Sequence, residues 1–240
     1  MCGIFGWVSH PANLTPENIA NARQMTELLR HRGPDAGGEW LTKSVYMGHR
    51  RLSIIDRSSA ANQPLRSPEG RYILSFNGEI YNYLELRDEL AHHGATFTTQ
   101  SDTEVMLNAF ASWGDEALKR FDGMFAGAFH DLRSGRHVIF RDPMGQKPLY
   151  YYIDDQALIY ASELRAIIGL PKMAWRLDRE AFKRFLTHGY YSGEETPIEG
   201  VRKLLPGHVL HIENGLIRSR RYWNSIPGED TIGISENEAV

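Results

Sequence analysis

Met1-Cys2-Gly3-Ile4-Phe5-Gly6-Trp7-Val8 opens the chain and holds the only cysteine in 240 residues. Apolar residues in a run this near a terminus read as a buried strand, which would carry Cys2 into the body of the fold. Methionine ahead of a small residue is normally trimmed during synthesis. Its removal would leave a thiol and a free α-amino group on one residue, a complete nucleophilic unit. The thiolate attacks, and an amine with an ordinary pKa of about 7.7–8.0 can take the thiol proton near neutral pH. The competing reading is a chance cysteine at a frayed end. Partners elsewhere in the chain decide between the two.

Outward from that stretch, the composition is that of an ordinary soluble enzyme. Hydrophobic residues make up 42% and charged residues 24%, which argues against disorder and against a membrane span. The length suits one large domain or two small ones with an ample core. A formal net charge of −3 offers no global basic field to nucleic acid. A single cysteine excludes an intrachain disulfide framework and fits a reducing, cytoplasmic setting. The start lacks a basic segment, and Asn13, Glu17 and Asn21 break any apolar run, so no signal peptide is expected.

Short strands alternate with a few helices. Thr15-Pro16-Glu17 predicts a helix running to about Leu29, with Thr15 as cap and Ile19, Ala22, Met25, Leu28 and Leu29 at helical spacing. Ser101-Asp102-Thr103-Glu104 reads as a capping box opening another helix, and a third is expected near 84–92. Strands are expected at 45–48, 72–76, 124–130, 137–141, 149–153, 158–161 and 208–212, bounded by Gly, Pro, Asp and Asn. Many hairpin-linked strands with few helices argue for antiparallel sheets covered by helices. After Trp223 the chain turns polar and acidic. Residues 225–240 read as a linker, and Ser235-Glu236-Asn237-Glu238 looks like another helix start, as if a further domain followed.

Four segments carry polar residues that folding alone would not demand. They are Arg30-His31-Arg32-Gly33-Pro34-Asp35, His49-Arg50-Arg51-Leu52-Ser53-Ile54-Ile55-Asp56, Phe76-Asn77-Gly78-Glu79-Ile80-Tyr81-Asn82-Tyr83, and Ser101-Asp102-Thr103-Glu104-Val105. Taken singly, each has a purely structural reading as a turn, a solvated edge, an Asn-Gly hairpin or a cap. A zinc site is disfavoured by one cysteine and scattered histidines, so no metal is expected. No GxxxxGK phosphate loop is present. A papain-like cysteine–histidine hydrolase would need a chain-internal nucleophile and a base histidine, and none of the ten histidines marks itself.

Together with Cys2-Gly3-Ile4-Phe5-Gly6, these segments resemble the N-terminal glutamine amidotransferase domain of the asparagine synthase family, the class II type with an N-terminal nucleophile. The likeness runs from Met1 to about Trp223. It continues through Gly123–Ala126 (GMFA), Arg141–Tyr151 (RDPMGQKPLYY) and Ala161–Leu164 (ASEL). Gly127 departs from the bulky apolar residue common in the family, a change that concerns packing. The resemblance implies an α+β fold, a four-layer αββα sandwich of two antiparallel sheets covered by helices. It implies an amidotransferase domain over 1–224, joined in cis by 225–240 to a C-terminal synthetase domain.

The implied substrate is L-glutamine. By the same resemblance, Cys2 is the nucleophile, and the Asn77 side-chain amide and Gly78 N–H form the oxyanion hole. Arg51 would clamp the substrate α-carboxylate, a task suited to a planar fork. Asp102 and Glu79 would meet the α-ammonium, and the backbone of Leu52, Ser53, Ile54 and Ile55 would line the pocket. His31 and Arg32 lie in a segment near the site and receive no role. No cofactor is implied for this domain. ATP and Mg²⁺ belong to the second domain, whose SGGxDS loop does not occur in these residues. The ammonia acceptor would be an activated carboxylate, aspartate by default, with sugars or small natural products as alternatives. A non-catalytic glutamine-binding module is the reading from another class, and the presence of Cys2 argues against it. Oligomerisation is left open.

Overall fold

The computed structural model describes residues 1–171, 173–213 and 215–224; the linker expected over 225–240 lies outside the described residues. Along the chain, β1 (Gly3–Ser9) leads to α1 (Pro16–Glu27), then β2 (Ala36–Leu41), β3 (Val45–Arg51), β4 (Leu65–Arg66) and β5 (Tyr72–Ile80). Two helices follow, α2 (Tyr83–His92) and α3 (Asp102–Trp113), then β6 (Gly123–Asp131), β7 (His137–Arg141), β8 (Tyr150–Ile153) and β9 (Ala157–Ala161). The remainder is α4 (Leu164–Ile168), α5 (Arg179–His188), β10 (Val201–Lys203), β11 (His208–Glu213) and β12 (Leu216–Arg221).

The strands form two six-stranded sheets, ordered β10-β8-β9-β1-β3-β2 and β12-β11-β7-β6-β5-β4, with every named pairing antiparallel. Side-chain alternation sorts each strand between two apolar layers. Ile4, Val45, Met47, Ile73, Ala126, Ala128 and Ile139 meet between the sheets. Phe5, Tyr46 and Ile159 face outward to Ala22, Met25 and Leu29 of the α1 region and to α4. Phe76, Phe125, Phe129 and Phe140 face outward to Val105, Met106 and Phe110 of α3. Three apolar layers separated by two sheets make the four-layer αββα sandwich. Phe110 stacks on Phe129 at 4.9 Å between ring centroids, one contact in a layer where each buried phenyl contributes about 1.5–3 kcal/mol.

Local signals explain the helix positions. Thr15 accepts from the Asn18 N–H while Asn18 Oδ1 accepts from the Thr15 N–H, a reciprocal capping box with Pro16 in the first turn. The box expected at Ser101 is only half formed. Ser101 Oγ accepts from the Glu104 N–H at 3.2 Å, but the Glu104 carboxylate turns back to the N–H groups of Thr98 and Thr99, which anchors the approach to α3.

Several elements exceed the sequence reading. Strand β2 contains Gly37 and Gly38, ordinarily turn signals, yet a Cβ at 38 would sit 2.2 Å from the Gln63 carbonyl oxygen. The glycine there is room for a crossing chain. The sequence reading named no helix at α5, although Asp178 caps it by accepting from the Ala181 N–H, Ala181, Phe182, Phe185 and Leu186 share one face, and Gly189 closes it in the left-handed region. Gly127 also acts through packing, since a Cβ there would meet the Phe140 ring at 2.6 Å. No helix among the described residues is long and apolar enough to cross a membrane.

Candidate active site

Strand β1 delivers Cys2 to the end of the sandwich. Its Sγ lies 3.4 Å from the Leu52 N–H nitrogen and 3.6 Å from the Leu52 carbonyl oxygen. A cavity of about 270 Å³ opens beside it, with Arg51 and Leu52 from the end of β3, Asn77 and Gly78 from β5, and Asp102 from the start of α3. These elements meet because β5 continues straight past β6, pairing Asn77 with Ala126 and Gly78 with Phe125.

Each wall is held by backbone logic. Gly78 lies on extended chain, and what it supplies is space: a Cβ would stand 2.1 Å from the Met124 carbonyl oxygen. Arg51 is buried, and its guanidinium donates to Ser58 O at 2.7 Å, Asn62 Oδ1 at 2.8 Å and the Asp56 carbonyl. Those bonds engage three of its five N–H donors and leave the Nε–H and one Nη2–H. Asp102 Oδ2 accepts from the Ile80 N–H at 3.1 Å. Gln63 ties the floor together by accepting from the Phe76 N–H at 2.6 Å and donating to Thr103. Asn77 Nδ2 is buried and has no hydrogen-bond partner among the described residues, although an unpaired buried donor costs about 1–3 kcal/mol.

Residues 1–223 match the family described as glutamine amidotransferase domain. The chain belongs to that family. It is a class II glutamine amidotransferase domain. It is 40% identical over 229 residues to a putative asparagine synthetase [glutamine-hydrolyzing] of Mycobacterium tuberculosis, covering 88% of this chain and 35% of that protein. It is 37% identical over 229 residues to asparagine synthetase [glutamine-hydrolyzing] 1 of Bacillus subtilis, covering 94% of this chain and 36% of the relative. The chain thus spans a little over a third of the length of these relatives. A solved B. subtilis glutamine phosphoribosylpyrophosphate amidotransferase complexed with ADP and GMP superposes with a TM-score of 0.68 at 22% identity, over 94% of this chain and 50% of that one. That likeness concerns the fold.

The electrostatics of this amidotransferase site follow from its depth. Burial pushes the Cys2 thiol above its ordinary value, against the Leu52 hydrogen bond and the positive charges of the terminal amine and Arg51. The thiol therefore stays protonated at neutral pH and needs a base. Burial pushes Asp102 up to about 6, with the Glu79 charge adding to it, despite backbone hydrogen bonds from Ile80 and Thr103. The free amine here belongs to Met1. Burial lowers its pKa, and Arg32 and Lys147 lower it further.

Nine of the ten residues singled out from the sequence converge: Cys2, Arg51, Leu52, Ile54, Ile55, Asn77, Gly78, Glu79 and Asp102 all line the cavity. Ser53 does not. Its side of the turn faces away, and its N–H donates to Asp35 Oδ2 at 2.8 Å, which ties the RHRGPD segment to the wall. Among the wall residues given no site role from the sequence are Asp56, Gln63 and Lys147. Lys147 ends a loop built around buried Asp142, which accepts from the N–H groups of Met144, Gln146 and Lys147. Its signal was the RDPMGQK segment itself. Nothing in one dimension places that segment opposite Cys2.

Proposed function

We propose that this domain hydrolyses L-glutamine to glutamate and ammonia through a thioester on Cys2. The observation carrying the reading is the buried, unpartnered Asn77 Nδ2 in the same cavity as the Cys2 thiol. Such a donor is satisfied by a substrate oxygen, and most fully by one gaining charge. Trimming of Met1 transfers the free amine to Cys2. That amine takes the thiol proton as Sγ attacks the side-chain amide carbon of glutamine. The carbonyl oxygen becomes an oxyanion facing Asn77 Nδ2 and the Gly78 N–H. The C–N bond breaks as the amine passes its proton to the leaving nitrogen, and ammonia departs. Water then attacks the thioester and frees glutamate, restoring the thiol.

The ends of the substrate differ in charge, and so do the walls. Arg51 suits the α-carboxylate through its remaining donors, while Asp102 and Glu79 suit the α-ammonium. Two carboxylates in this wall would repel a nucleotide phosphate, so we assign ATP and Mg²⁺ to a separate synthetase domain joined in cis. The names of the relatives support aspartate as the carboxylate activated there and amidated by the ammonia. The test is an assay of glutamate and ammonia release by this chain and by Cys2→Ala, with aspartate, ATP and Mg²⁺ added in parallel. Cysteine-dependent hydrolysis with no pyrophosphate is expected. Hydrolysis surviving Cys2→Ala, or pyrophosphate release dependent on aspartate, would contradict the reading.

A further inference from the structure

The RHRGPD and ASEL segments remain without a role in the chemistry above, yet they meet directly behind the nucleophile. Arg32 Nε donates to the Cys2 carbonyl oxygen at 2.9 Å. The same guanidinium donates through Nη1 to Glu163 Oε1 at 3.0 Å, and that oxygen also contacts His31 Nε2 at 2.8 Å. Arg32 is nearly covered, with 8% of its side chain exposed, so this bonding is little diluted by water. One residue earlier in ASEL, Ser162 brackets the next part of β1. Its Oγ accepts from the Ile4 N–H, and its N–H donates to the Ile4 carbonyl, both at 3.0 Å. The backbone on the C-terminal side of Cys2 is thus pinned by two adjacent residues, Ser162 directly and Glu163 through Arg32.

We propose that Glu163 is a positioning residue for the nucleophile, acting through Arg32 on the Cys2 carbonyl and so fixing where the Cys2 amine and thiol point. The inference rests on the reading of Cys2 as an N-terminal nucleophile. Its logic is rotational. A residue with a free amine has no preceding peptide to orient it, so the Cys2–Gly3 peptide plane fixes the Cα–C axis and the Leu52 N–H contact to Sγ fixes the turn about it. Arg32 holds that plane from its carbonyl side. Without a carboxylate partner, the guanidinium would be held mainly by the group it is meant to fix. Neither Arg32 nor Glu163 lines the glutamine cavity, so their effect falls on the reacting atoms and spares binding. With Met1 still in place, the Arg32 cation, like that of Lys147, lowers the pKa of the Met1 amine, one residue before Cys2.

The experiment compares wild type, Glu163→Gln, Glu163→Ala and Arg32→Gln, each confirmed by intact mass to have lost Met1. Steady-state glutaminase kinetics are measured together with the pH dependence of Cys2 alkylation by iodoacetamide. Glu163→Ala should lower kcat roughly 10²-fold, as for misplacement of a reacting group, with KM for glutamine held within about twofold. Glu163→Gln keeps an acceptor for Arg32 and should recover most of that loss. Arg32→Gln removes the donor to the Cys2 carbonyl, so it should lower kcat at least as far as Glu163→Ala and alter the alkylation profile alongside. Unchanged kcat in Glu163→Ala would overturn the proposal. So would a fall in kcat matched by a rise in KM with Glu163→Gln no better than Glu163→Ala, because that is collapse of the cavity. If wild type itself fails to release glutamate, the hydrolase reading falls, and the alkylation profiles still decide the positioning claim: Glu163→Ala must change them and Glu163→Gln must not.

Discussion

Replacing Asp102 by asparagine separates what this carboxylate does for the fold from what it does for the ligand. In the ligand-free protein burial raises its pKa from 3.8 to about 6. A raised acid pKa means that the ionised form is penalised in the folded state. The penalty is absent below pH 3.8, grows between 3.8 and about 6, and is complete above that. Two pKa units correspond to about 3 kcal/mol at pH 7. The side-chain amide in Asp102→Asn would still accept from the Ile80 N–H, so the variant should be more stable than wild type by up to about 3 kcal/mol. For a chain of this size that is a rise in Tm of roughly 6–12 °C. The gap should close as the pH falls from 6 to 4. Glutamine should close most of that gap. In a Cys2→Ala background, where glutamine persists, ligand at 100 times its Kd stabilises the protein that keeps Asp102 by about 2.7 kcal/mol. The Asp102→Asn variant should bind more weakly by about 2–5 kcal/mol, because the ammonium loses its buried partner. Thermal unfolding at pH 7 and pH 4.5, with and without glutamine, reads all four arms. An Asp102→Asn protein less stable than wild type at pH 7, or an undiminished glutamine shift, would refute the reasoning.

Other outcomes follow from the same geometry. Arg51→Ala should weaken glutamine binding by about 2–5 kcal/mol in calorimetry on the Cys2→Ala protein, whereas Asn77→Ala should lower kcat roughly 10²–10³-fold; equal KM effects with intact turnover would undo both roles. KM for glutamine should rise as the pH drops below about 6, because Asp102 then loses its charge; a flat KM between pH 7 and 5 would remove it from ammonium binding. His130, buried between the sheets against His137, has its pKa depressed to about 4 by burial, and burial also holds His137 well below 6.5. A lowered base pKa gives stability that is complete above 6.5 and is lost towards 4. Unfolding free energies from urea titrations should therefore fall by about 1.4 kcal/mol per pH unit for each histidine across that window, and less steeply in His130→Gln.

How far the sequence could be read depended on whether a signal was local. The Thr15-Pro16 start, the N-cap at Ser101 and the apolar runs of β1 and β5 are written within a few residues, and they position α1, α3 and the strands that bring Cys2 and Asn77 to the site. Strand β2 was hidden because its glycines serve a neighbouring chain, Gln63, that only folding brings near. Helix α5 was missed although its Asp178 cap, its apolar face and its closing Gly189 are all local signals. Within the site, Asp56 and Lys147 sat in quoted motifs without a role of their own, while Gln63 reaches the cavity from a loop fixed by Phe76 and Thr103, partners that only folding brings near. Ser53 stands outside the cavity lining, and its N–H goes to Asp35.

The central claim is a covalent intermediate on an N-terminal cysteine, and mass spectrometry of acid-quenched turnover tests it most directly. Protein mixed with excess glutamine and quenched within one turnover should lack Met1 and carry a glutamyl adduct that maps to Cys2. The adduct should vanish on treatment with hydroxylamine, with γ-glutamyl hydroxamate released. A protein that turns over glutamine while retaining Met1, or one whose quenched, active form carries no adduct on Cys2 at any time, would contradict the account.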